Sequence, residues 1–127
     1  ETNGSLNIDF QEEYQKNILF SMSVKLSNSL EPLKKRVNKS TLTKILENTK
    51  ESYLKFVIGN DFLENAIVEI EDILKNIPQC EVYLMPLGDS SEAIDINSEK
   101  VVNLAIKYGF KYSDRLHIRI WNNKRGV

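Results

Sequence analysis

Cysteine is almost missing from this sequence of 127 residues: Cys80 stands alone. A single thiol excludes an internal disulfide framework and cannot hold an iron-sulfur cluster, which takes three or four converging thiolates. Following Pro78 and Gln79, it reads as a small buried apolar residue. A surplus of charge is missing too. Lysine and arginine number 17 against 18 aspartates and glutamates, a net charge of −1, which gives no electrostatic footprint for a phosphate backbone, so nucleic acid is not an expected partner. Long apolar runs are absent, and no charged-then-apolar leader opens the chain. No membrane partner is expected, and a cytoplasmic location is the default. The sequence also lacks a P-loop, a dinucleotide fingerprint, a zinc spacing and a nucleophile elbow, so no motif names a reaction by itself. No repeat of 20 to 50 residues argues for a solenoid.

What is present suits one globular domain over residues 1–127, with 41% hydrophobic and 28% charged residues. Glu1, Thr2, Asn3, Gly4 and Ser5 read as the end of a strand entering a turn, since Asn-Gly favours positive φ. Because Glu1 is not an initiator methionine, a preceding segment is expected. Asp9 and Glu12 have the spacing of a capping box for a short helix over residues 10–16. Ile18, Phe20, Met22 and Val24 then alternate with Leu19, Ser21, Ser23 and Lys25, the two-residue period of a strand. Residues 27–39 read as a loop with a helical turn. Ser40 is the candidate cap of a helix over 41–50, and a second strand covers 53–58. Asp61 and Glu64 suggest a capping box for a helix ended by Pro78. A third strand is expected at 81–85. Asn97 or Ser98 is the candidate cap of a last helix that stops at Gly109. Leu116, Ile118 and Ile120, alternating with His117, Arg119 and Trp121, suggest a terminal strand. Strands alternating with helices imply an α/β fold with parallel pairing. Ligands in such sheets gather at the carboxyl ends of the strands, which directs attention to Asn3, residues 23–27, residues 58–60 and residues 85–88.

Each polar group in those places has a bland reading beside the functional one. Ser23 and Lys25 share a strand face and can offer a hydroxyl and an ammonium to ribose hydroxyls or a carboxylate, while a simply wet outer face gives the same pattern. Lys55, in mid-strand, reads as a surface lysine. His117 can hydrogen-bond a heterocycle near neutral pH, with Arg115 and Arg119 on the same strand face suited to a carboxylate; an exposed edge strand looks no different.

Several blocks taken together carry a resemblance. They are residues 1–5 (ETNGS), 23–29 (SVKLSNS), 35–38 (KRVN), 55–57 (KFV), 85–88 (MPLG), and 114–119 (DRLHIR) running on to Gly126 and Val127. In order and spacing they resemble the 7-carboxy-7-deazaguanine synthase family along the whole chain. The resemblance implies part of a radical S-adenosylmethionine partial (β/α) barrel with mostly parallel strands. It also implies S-adenosylmethionine cleaved at a [4Fe-4S] cluster and a magnesium-assisted (Mg2+) ring contraction of 6-carboxy-5,6,7,8-tetrahydropterin, which releases ammonia and yields a queuosine precursor. By the same resemblance Ser23, Lys25, Met85 and Pro86 are the cofactor contacts. Glu1, Thr2, Asn3, His117 and the terminal carboxylate of Val127 are the contacts to the pterin.

The family's cysteine loop, its acidic Gly-Gly-Glu-type block and its first strands have no counterpart in this sequence. The chain is therefore expected to be the C-terminal half of the barrel, inactive alone, with a missing N-terminal segment as its partner and an unpaired strand edge where that segment would join. Family dimers make a homodimer the expected assembly. Two other readings remain: a non-catalytic module that has kept an adenosyl or pterin pocket, and a purely structural α/β domain.

Overall fold

A computed structural model describes residues 1–124 and Gly126. Among these, four strands form one sheet: β1 (Ser21–Ser23), β2 (Tyr53–Ile58), β3 (Glu81–Pro86) and β4 (Lys111–Tyr112). They lie in the order β1-β2-β3-β4, and every pairing is parallel. Thr2 adds an isolated parallel bridge to Met22, continuing the series at the β1 edge. The helices are α1 (Leu33–Arg36), α2 (Lys39–Asn48), α3 (Leu63–Leu74), α4 (Ser91–Tyr108) and α5 (Leu116–Trp121), with 3-10 turns at Glu13–Asn17 and Ser27–Ser29.

Strand order equals chain order, so each crossover steps the same way along the sheet. A doubly wound sheet would reverse at a switch point; a sequential one winds like a barrel. Alternation then sorts the side chains. Met22, Leu54, Phe56, Ile58, Val82 and Leu84 are buried, and they share one core with Leu42 and Ile45 of α2, Ala66 and Ile70 of α3, and Val101 and Ala105 of α4. The three long helices therefore cover one face of the sheet. The α/β class and the all-parallel sheet are as the sequence implied, and both suit a partial barrel.

Several local expectations are corrected. Residues 116–121 are a helix rather than a strand: pairing with β3 ends where the Ser113 N–H donates to the Leu84 carbonyl (2.9 Å), and the Arg115 carbonyl then accepts from the Ile118 and Arg119 N–H groups. Helix α4 begins at Ser91, capped by Ser90, whose hydroxyl accepts from the Ala93 N–H (3.2 Å). Asn97 and Ser98 are not caps. Asn97 sits inside the helix as a clamp, accepting from the Asn60 N–H (2.7 Å) and donating to the Leu87 carbonyl (2.6 Å). Ser98 donates to the Ile94 carbonyl (2.6 Å). Asn38, not Ser40, caps α2 by accepting from the Thr41 N–H (3.1 Å).

The Asp61–Glu64 box does not form. Phe62 opens α3 without a side-chain cap and packs against the core. Near the start of the chain the box joins Glu12 with Gln15 rather than Asp9 with Glu12, and the helix is 3-10. Gly109 ends α4 at φ +68°, the left-handed stop expected of it. Gly4, at φ +68°, makes the turn after the Thr2 bridge.

Candidate functional site

The sheet face turned away from the helices carries a different set of side chains. Register places Ser23 beside Lys55, Lys55 beside Tyr83, and Tyr83 beside Lys111. Tyr53 and Tyr83 hold their rings 4.7 Å apart, and the Lys111 ammonium sits 5.5 Å from the centre of the Tyr83 ring while pairing with Glu81. Toward the carboxyl ends, Val57 is beside Met85.

Glu1 comes to this face from the segment beyond β1. Thr2 is in register with Met22, which faces the helices, so alternation sends Glu1 to the open side. There its Oε1 meets the Lys55 Nζ at 2.8 Å. The Lys55 ammonium holds the Glu1 carboxyl below its ordinary range against an opposing push from burial, and a hydrogen bond with Ser23 adds to the lowering. The result is an ionised carboxylate, a hydroxyl and a mostly covered ammonium at one spot.

Beside Ser23 lies a hollow of about 250 Å³ lined by residues 23–26 together with Asn28, Ser29, Val57 and Leu87. Ser23 and Lys25 thus border one space, but Val24 and Leu26 border it too, so it is the turn of the chain after β1 rather than strand parity that brings them together. The strand itself has ended by then, and Lys25 pairs with Glu31. The loop that forms the wall is fastened from behind. Glu69 of α3 accepts from the Ser27 N–H (3.0 Å) and hydroxyl and from Arg36 Nη1 (2.8 Å). Burial pushes the Glu69 carboxyl up, but the Ser27 and Arg36 donors outweigh it and the net shift is downward.

The other sequence-predicted residues are distributed more widely. Met85 faces the open side beside Val57, whereas Pro86 is buried with Ile58 on the helix side. Thr2 turns its hydroxyl to the Gly4 N–H (3.2 Å) and so closes the turn. Asn3 accepts from the Ser5 N–H (3.1 Å) and hydroxyl (2.7 Å). His117 is exposed on α5, and the expected row of Arg115, His117 and Arg119 is not formed. Residues two apart on a helix point to opposite sides. Arg115 donates to the Gly88 carbonyl (2.6 Å), while Arg119 binds Asp95, Asp114 and Ser98. Val127 lies outside the described residues.

Lys55 is the site residue that sequence reasoning passed over. Its signal was available: with Leu54, Phe56 and Ile58 on one face, a lysine on the other face of a parallel strand demands a partner.

A [4Fe-4S] cluster does not fit these side chains. Among the described residues no group of three or more His, Cys, Asp or Glu is placed to hold a metal ion. Cys80 precedes β3 at its amino end, about 10 Å along the strand from Tyr83, the neighbour of Lys55 in register. Burial pushes its thiol up, away from the thiolate a cluster needs. The Ser23 hydroxyl and the Lys25 ammonium border one hollow, and Met85 faces the same side of the sheet without lining it.

The fold is that of an α/β protein whose all-parallel, sequentially ordered sheet suits a segment of a (β/α) barrel. Comparison with known proteins makes this particular. The chain is 30% identical over 95 residues to 7-carboxy-7-deazaguanine synthase of Rhodopirellula baltica, covering 73% of this chain and 36% of that protein. It is 31% identical over 109 residues to the synthase of Pyrobaculum aerophilum, covering 84% and 45% respectively. With the synthase of Halobacterium salinarum the identity is 29% over 97 residues, or 70% and 36%. The chain is thus related to the 7-carboxy-7-deazaguanine synthases through their C-terminal part, and it spans less than half the length of these relatives. No family model matches the chain, and neither does any solved structure. No helix among the described residues is long and apolar enough to cross a membrane.

Proposed function

We propose that this chain forms the C-terminal part of a 7-carboxy-7-deazaguanine synthase and supplies one wall of its ligand site. The observation that carries the reading is the open sheet face. Glu1 and Lys55 pair there at mid-strand, next in register to Ser23 at the carboxyl end of β1, which with Lys25 borders the adjoining hollow, in a chain related to that family. In this role Ser23 and Lys25 hold S-adenosylmethionine through its hydroxyl and carboxylate groups, with Met85 against its apolar surface. Glu1 serves the pterin. The cluster, which when bound supplies the electron for reductive cleavage, is held by residues outside these 127, and so is magnesium. The work of this part is to bind, orient and exclude water.

The test is anaerobic reconstitution of the chain extended by the coding sequence upstream of Glu1, followed by assay for 5'-deoxyadenosine with 6-carboxy-5,6,7,8-tetrahydropterin. Pterin-dependent 5'-deoxyadenosine from the extended chain, with none from residues 1–127 alone, is the expected result. No cysteine-rich segment upstream, or an extended chain that loads a cluster and leaves the pterin untouched, would overturn it.

A further inference from the structure

We propose that Lys55 is a positioning residue of this site, whose ammonium fixes Glu1 as an anionic acceptor aimed at the ring N–H donors of the ligand. The inference deepens the reading above and depends on it for the ligand's identity. Its geometry stands apart. A lysine in mid-strand with no task would extend into solvent, yet the Lys55 side chain is only 15% exposed and ends 2.8 Å from Glu1 Oε1. Glu1, by contrast, is 60% exposed. One of its oxygens is held by Lys55, and the rest of the carboxylate stays accessible.

A carboxylate has about four lone-pair positions. Lys55 engages part of this capacity and leaves acceptor sites for a ligand. Two neighbouring N–H donors, as on the amino-pyrimidinone edge of a pterin, match a carboxylate whose two oxygens are fixed in direction. Without Lys55 the carboxylate would be free to rotate and easier to protonate. The residue that reads the ligand is then Glu1, and Lys55 acts through it. The Tyr83 ring lies next to Lys55 in register, tilted against Tyr53 with ring centres 4.7 Å apart.

The experiment uses the extended chain with Lys55→Met and Lys55→Arg, and it has two readouts. One is a pH titration of the Glu1 carboxyl carbon by 13C NMR without ligand; the other is the dissociation constants of the carboxypterin and of S-adenosylmethionine. In K55M the Glu1 midpoint should rise toward the ordinary glutamate range. Pterin affinity should fall about tenfold or more, the loss expected of a charge-fixed acceptor, with S-adenosylmethionine affinity changed far less. K55R should restore both.

An unmoved Glu1 midpoint, or equal losses for both ligands, would overturn the proposal and leave Lys55 as a plain ion pair. Should K55M fail to fold, Glu1→Gln in the extended chain puts the same question: selective loss of the pterin supports the proposal, and unchanged affinity overturns it. A wild-type extended chain that binds no pterin sinks the functional reading and the named ligand, while the Glu1 titration still decides the coupling to Lys55.

Discussion

The two faces of the sheet are built from the same short strands and differ in almost everything else. Met22, Leu54, Phe56 and Leu84 are completely covered by helices α2, α3 and α4. Ser23, Lys55 and Tyr83, one residue along on each strand, carry a hydroxyl, an ammonium and a phenol on the other face. Parallel sheets ordinarily cover both faces with apolar side chains. A polar row in that position costs stability, and it persists where the face is used. The helix side therefore makes the core, and the open side carries the candidate site. The sharpest way to break this comparison is to truncate one member of each. Phe56→Ala removes the largest fully buried side chain and should cost about 3–5 kcal/mol in a urea melt. Tyr83→Ala on the open face should cost clearly less. Equal losses would mean that the two faces share one structural role.

A second division separates the loops at the carboxyl ends from the strands beneath them. Gly88 leaves β3 with its backbone so close to α4 that an added Cβ would stand 2.8 Å from the Ile94 nitrogen. Backbone atoms cannot yield as a side chain can, so Gly88→Ala should lose about 1–3 kcal/mol. It should also loosen the loop that receives Arg115, seen as faster amide exchange over residues 86–91.

Glu69 fastens the loop on the opposite side of the site. Glu69→Ala strands the Ser27 donors and Arg36 and should cost about 1–2 kcal/mol. The pH dependence follows from the direction of its shift. The folded carboxyl lies below its ordinary value of 4.5, so the stabilisation is complete above that value and drains away as pH falls through the folded value. The wild-type advantage over E69A should therefore be flat near neutrality and shrink in acid; an advantage that grew in acid would refute the assignment.

Much of this arrangement could be read from the sequence wherever a single period governed a segment. Leu54, Phe56 and Ile58 alternate without interruption, and the strand is observed at the expected residues. Residues 116–121 alternate just as cleanly but are helical. Only Ile118 is buried there, and the pattern was not produced by a sheet face at all. Asn97 and Ser98 misled for a related reason. Polar residues within a helix resemble caps until the loops they clamp are known, and the bonds from Asn97 to Asn60 and Leu87 join segments distant in sequence. That Ser23 and Lys25 lie close together was legible from their spacing, and they border one hollow. The meeting of Glu1 with Lys55 was not, because it depends on two successive pairings, Thr2 with Met22 and Ser23 with Lys55.

Lys25 gives the smallest expected effect on stability and the cleanest separation of the two roles. Its side chain is 46% exposed and pairs with Glu31, itself well exposed. Such a pair gains little, since water screens it and two flexible side chains must be ordered to make it. Lys25→Ala should therefore shift the urea midpoint by no more than the equivalent of about 0.5 kcal/mol. If Lys25 receives the carboxylate of S-adenosylmethionine, the same change in the extended chain should weaken that ligand about tenfold or more. The Glu31 pairing then acts as a placeholder that the ligand displaces, and Glu31→Gln should tighten binding slightly by freeing the ammonium. A Lys25→Ala chain that loses stability without losing the ligand would put Lys25 with the scaffold and move the boundary between the two faces.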